Sequence, residues 1–176
     1  MNGKILVTYA TAAGSTAQVA EKIGEIMRED GTAVDVRRAQ DITDLSAYHA
    51  VVLGTGVRAG RVYREAVTFA EQHQDALNQV SVAYFLVCLT MKEDTPENRA
   101  EAMTFLAPLR EKAPQVQPVD VGLFGGVVDY DTLSLPFKLI LKLRKEPAGD
   151  HRDWEKIRAW ALDTREALVD AKGAQG

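Results

Sequence analysis

The stretch of this chain best equipped for chemistry lies between Val7 and Ala20, where Thr11, Ser15 and Thr16 place three hydroxyls around Gly14 within six residues. A strand-like apolar run precedes it and a helical periodicity follows, so the segment is a strand-to-helix turn. Unpaired amide N–H groups at a helix start, the positive end of the helix dipole and nearby hydroxyls together surround a dianionic phosphate without any lysine or arginine. Gly14 lets the backbone approach closely. The candidate contacts are Thr11, Ala12, Ala13, Gly14, Ser15 and Thr16. Ser15 or Thr16 as a plain helix cap is the competing use, and the clustering of three hydroxyls and a glycine in one turn favours phosphate.

What the turn lacks narrows the ligand. A nucleoside-triphosphate loop needs Gly-Lys-Ser/Thr, and no lysine stands between Lys4 and Lys22. A dinucleotide fingerprint needs Gly-x-Gly-x-x-Gly after the first strand, whereas Gly54-Thr55-Gly56-Val57-Arg58-Ala59-Gly60 follows the third and has other spacing. A phospho-acceptor receiver needs acidic residues at the end of the first strand, and there are none. A mononucleotide remains.

The elements that must position this turn are read from alternating patterns. Strand-length apolar runs at 4–9, 33–37, 50–54, 80–88 and 119–126 alternate with helical periodicity at 16–30, 63–73, 95–110 and from Asp153 onward. The pattern predicts an α/β fold: a doubly wound parallel sheet of five strands in the order 2-1-3-4-5, with helices on both faces. The central strands lack polar alternation because neither face is wet. The 176 residues, 46% hydrophobic and 26% charged, suit one domain over 1–172 with a flexible tail at 173–176. A net charge of -4 disfavours nucleic acid as a partner. One cysteine (Cys88) and three scattered histidines give no metal-ligand spacing. No basic segment followed by a signal-type apolar run is present, so the expected location is cytoplasmic.

Val7, Tyr9, Thr11, Gly14, Thr16 and Ala20 follow, without gaps, the pattern aliphatic, x, aromatic, x, Ser/Thr, two residues, small, x, Thr, three residues, Ala. On these residues the chain resembles the flavodoxin family. The resemblance implies FMN as cofactor, its phosphate in this turn and its ring at the carboxyl ends of neighbouring strands. It also implies ring contacts from Thr55, Gly56, Val57 and Arg58 after the third strand, with Gly56 able to flip a peptide near the flavin N5 and Arg58 a cation near the pyrimidine end. Leu89 and Thr90 after the fourth strand would offer backbone donors to the flavin carbonyls, and Gly126 would border the ring after the fifth. Electron-carrier flavodoxins usually sandwich the ring between aromatics in two of these loops; here only Tyr63 stands near one.

Residues 127–150 form an insertion too long for a simple strand-to-helix connection. A helix starting at Pro136 would carry Phe137, Leu139, Ile140, Leu141 and Leu143 on a broad apolar arc beside Lys138, Lys142 and Lys145. Such a helix packs on its own core, lines an apolar groove or lies on a membrane through 133–145. Together with the Gly-Thr-Gly-Val-Arg loop, Gly125-Gly126-Val127, Tyr130 and Asp153-Trp154-Glu155, the insertion resembles the menaquinone-dependent protoporphyrinogen oxidase group of flavodoxin-like proteins. That resemblance implies an FMN-dependent enzyme of haem biosynthesis, passing electrons from protoporphyrinogen IX to menaquinone at the inner face of the membrane. A flavodoxin-type carrier docking to redox proteins and a quinone reductase are the alternatives. No side chain stands out as a general base; Arg58, Tyr130 and Asp129 are the candidates for orienting a substrate.

Overall fold

The structure, a computed structural model, describes residues 3–12, 14–131 and 133–173. Strands β1 (Lys4–Ala10), β2 (Val34–Arg38), β3 (Tyr48–Arg58), β5 (Ser81–Cys88) and β6 (Val121–Gly125) form a parallel sheet in the order β2-β1-β3-β5-β6. A stub, β4 (Arg61–Val62), pairs antiparallel with the end of β3. Leaving that stub aside, the order is the expected 2-1-3-4-5.

The strands read as apolar runs because each alternate residue feeds a different core. Ile5 and Val7 of β1, with Val52 and Phe85, pack against Val19, Ile23 and Met27 of α1 (Ser15–Arg28) and Ile157 and Ala161 of α7 (Trp154–Gly173). Leu6, with Leu53 and Tyr84, faces Phe69 of α2 (Arg64–Gln72) and Leu106 and Leu109 on the other side. A short α3 (Gln74–Leu77) extends α2. Val19, Ala20, Ile23, Ile26 and Met27, at helical spacing along α1, are all buried.

The helix expected over 95–110 is two, α4 (Pro96–Thr104) and α5 (Ala107–Lys112). Thr95 caps the first by accepting the Asn98 N–H, and Pro108, which cannot donate a backbone hydrogen bond, enters the first turn of the second. The last helix starts as read: the Asp153 carboxylate accepts the N–H groups of Glu155 and Lys156. Gly173 closes that helix rather than opening a tail, and 174–176 lie outside the described residues. The 127–150 insertion is a β7 (Val127–Val128) and β8 (Gly149–Asp150) ladder carrying α6 (Leu135–Leu143). The ladder had no sequence signal, since two-residue strands carry no period.

Candidate active site

The turn between β1 and α1 sits where the sheet reverses its winding, with β2 on one side of β1 and β3 on the other. That is the crevice at the carboxyl ends of the strands where open α/β sheets bind ligands. Gly14 occupies the N-cap of α1 at φ 87°, a left-handed conformation that disfavours other residues, and a Cβ there would meet nothing within 4 Å. Backbone geometry rather than space therefore calls for glycine. Among the described residues no side chain caps this helix: neither Ser15 nor Thr16 serves as its N-cap, so its first amides are not claimed by a capping oxygen there. Ala13 lies outside the described residues.

A cavity of about 260 Å³ opens over this turn. Its floor is Thr11, Ala12, Ser15 and Thr16; one wall is Gly56, Val57, Arg58, Ala59 and Tyr63; the other is Val87, Cys88, Leu89, Gly126 and Val127. Leu133, Ser134, Phe137 and Leu141 complete it from the insertion. Pairing explains the convergence: Ala10 with Thr55, Gly56 with Val87 and Cys88 with Gly125 are the last steps of adjoining ladders, so each following residue emerges at one rim.

The segment expected to be a loop after the third strand is strand. β3 runs through Arg58 and turns back into β4 through Ala59 and Gly60, both at positive φ (50° and 72°). Two successive positive-φ residues are the geometry of a tight hairpin, which follows the twist of its strands. Inside it the Thr55 hydroxyl, 1% exposed, donates to the Gly56 carbonyl (2.8 Å) and accepts the Tyr63 N–H (3.2 Å). Thr55 thus braces the hairpin and is not among the lining residues. A Cβ at Gly56 would stand 2.9 Å from the Tyr63 ring and 3.0 Å from the Thr16 hydroxyl, so glycine lets the hairpin close onto α1. The same closure brings Tyr63 into the cavity wall.

Leu89 and Thr90 begin a 3-10 turn, Leu89–Lys92. Leu89 borders the cavity. Thr90 is not among the lining residues. Burial pushes the Cys88 thiol up to about 11, which makes it a poor nucleophile at neutral pH. Tyr130 also stands outside the lining: its hydroxyl donates to the Glu146 carbonyl, tying the start of the insertion to its end. Asp129 accepts the Asp131 N–H in a local turn.

Arg58 is the only charged side chain among the described lining residues. Its guanidinium lies 3.7 Å from the centroid of the Phe137 ring and donates to Ser134 Oγ at 3.1 Å. Sequence reasoning missed Tyr63 in the hairpin wall and Leu133, Ser134, Phe137 and Leu141 as the cover, and only the apolar arc of the insertion hinted at the last two. With uncapped amides, hydroxyls on the floor and no carboxylate in the described lining, the residues suit a phosphate bearing a flat apolar ring.

Comparison with known proteins agrees with this geometry. The family model for the flavodoxin domain matches residues 6–155. Over 174 aligned residues the chain is 25% identical to protoporphyrinogen IX dehydrogenase [quinone] of Escherichia coli, covering 91% of this chain and 93% of that protein. Oxidised flavodoxin 1 from Bacillus cereus superposes with a TM-score of 0.58 at 17% identity, covering 93% of this chain and 97% of that one. A flavoprotein from Lactobacillus acidophilus, solved in complex with FMN, superposes with a TM-score of 0.52 at 16% identity, covering 69% and 93%. A model match over 6–155 takes in the β1–α1 turn, the hairpin and the insertion alike, and the chain belongs to the flavodoxin domain family.

Proposed function

We propose that the chain binds FMN in this cavity as an FMN-dependent oxidoreductase, with protoporphyrinogen IX as electron donor and menaquinone as acceptor. The carrying observation is one cavity that combines an uncapped helix start on its floor with an apolar cover from the insertion. When bound, FMN supplies uptake and release of one or two electrons. The chain's own task is to bind, orient and exclude water. The first amides of α1 and the hydroxyls of Thr11, Ser15 and Thr16 hold the phosphate, with Ala12, Ala13 and Gly14 leaving the backbone free to approach. Gly56, Val57 and Arg58 border the ring on one side, Leu89 and Gly126 on the other; Thr55 acts through the hairpin it braces, and Thr90 stands in the turn that carries Leu89. Phe137, Leu141 and Leu133 keep water from the face where the second reactant lies.

The finer assignment draws support from the name of the Escherichia coli relative, aligned over nearly its whole length, and from an apolar cavity wall suited to large flat rings. Tyr130 belongs to this reading as the residue that closes the insertion. A lipid-soluble acceptor also gives meaning to the outward side of α6, where Leu135, Leu139 and Leu143 are exposed beside Lys138 and Lys142. In this reading 133–145 touches the inner face of the membrane.

The test is anaerobic. The purified chain, loaded with FMN and checked by its visible spectrum, is mixed with protoporphyrinogen IX with and without menaquinone. Menaquinone-dependent porphyrin formation is expected. A chain that takes up FMN but reduces only protein partners would be a carrier; one oxidising only nicotinamide would be a quinone reductase. A colourless chain that ignores added FMN would end the proposal.

A further inference from the structure

Helix α6 covers the cavity although none of its residues is buried. Nine residues are too few for a helix to persist in water by propensity alone, so something other than core packing must hold it. Its C-terminal end is held by the Lys92–Glu146 ion pair (2.9 Å) and by Tyr130 donating to the Glu146 carbonyl. Its N-terminal end meets only one charged side chain from the sheet among the contacts described, Arg58. Ser134 occupies the N-cap position, yet makes no side-chain cap bond; its hydroxyl accepts from Arg58 instead. One turn later the Phe137 ring lies under the same guanidinium, its centroid 3.7 Å from the guanidinium carbon. The backbone of Arg58 is held in the β3–β4 hairpin, paired with Arg61.

We propose that Arg58 is a positioning residue, the clasp by which the hairpin holds α6 as a roof and so sets the height of the gap left for the second reactant. The clasp needs a planar fork that stacks and donates at once, which a lysine ammonium does not supply. The consequence for the second reactant rests on the oxidoreductase reading; the clasp itself does not.

Hydrogen exchange in the chain without added FMN tests it. Arg58→Ala and Arg58→Lys are each expected to speed exchange of the amides of 137–143 roughly fivefold to tenfold, the scale of a lost cation–π contact and hydrogen bond, while the β1 and β3 amides stay unchanged. Phe137→Ala should have the same effect, and the double variant R58A/F137A should add little to either single one. In the FMN-loaded chain R58K should raise the KM for a soluble naphthoquinone more than it lowers kcat. Protection of α6 retained by R58K, or full additivity in the double variant, would make Arg58 only a cation and overturn the clasp; so would loss of core protection in both R58A and F137A. Altered exchange in a chain that refuses FMN would leave the clasp standing and remove the oxidoreductase.

Discussion

Cys88 shows how far a residue's chemistry depends on its surroundings. It ends β5 at the cavity edge, 4% exposed, with burial raising its thiol to about 11. Alkylation by iodoacetamide at pH 8 is therefore expected to run about 100-fold slower than in the urea-unfolded chain, following the lost thiolate fraction. Equal rates would mean that the thiol is exposed and ionised. Its character as a small buried hydrophobe was legible from the sequence, since no histidine or aspartate motif accompanies it. The place of Thr90 was not: its hydroxyl and its position after a strand are equally compatible with bordering the cavity, and only the structure puts it in a 3-10 turn outside the lining.

Between elements, Asp94 does comparable work. It precedes α4, accepts from Arg99 of α4 (2.8 Å) and binds Lys156 of α7 (2.7 Å), linking two helices far apart in sequence. Hydrogen bonds from Arg99 and then Lys156 hold its carboxyl well below the usual carboxylate range, against the opposing effect of desolvation. A depressed folded pKa means stabilisation that is complete above the unfolded value, about 3.9, and is lost as pH falls through the folded one. At pH 7, Asp94→Asn is expected to cost about 1 kcal/mol in urea unfolding, a deficit that shrinks on acidification. A deficit that is constant with pH would show that charge is not its source. The cap of α7 at Asp153 and the apolar face of α1 were readable, because local signals determine both. The break between α4 and α5 and the β3–β4 hairpin were not, because their residues are compatible with a continuous helix and an open loop until packing selects otherwise.

At the scale of the molecule, the insertion sets one helix between the cavity and the outside. No helix among the described residues is long and apolar enough to cross a membrane, so contact with lipid under the proposed function has to be interfacial. Leu143 is 83% exposed and Leu139 54%, beside Lys138 and Lys142. The chain is expected to co-sediment with phosphatidylglycerol vesicles, less so at high salt, and Leu139→Ser with Leu143→Ser should weaken this about tenfold or more. Wild-type chain left entirely in the supernatant would rule out the contact. The sequence by itself determined the order of the sheet, the hydroxyl-rich turn between β1 and α1 and the existence of an apolar insertion. The elements behind them are encoded locally, in strand-length apolar runs, in the 3.6-residue period of the helices and in one strand-to-helix turn. Only the tertiary structure decided that the glycine-spaced segment is a hairpin, that Tyr63 enters the wall, and that Arg58 meets Ser134, 76 residues away. Those contacts come from strand register and chain crossing, which bring together residues whose individual sequence signals carry no sign of one another.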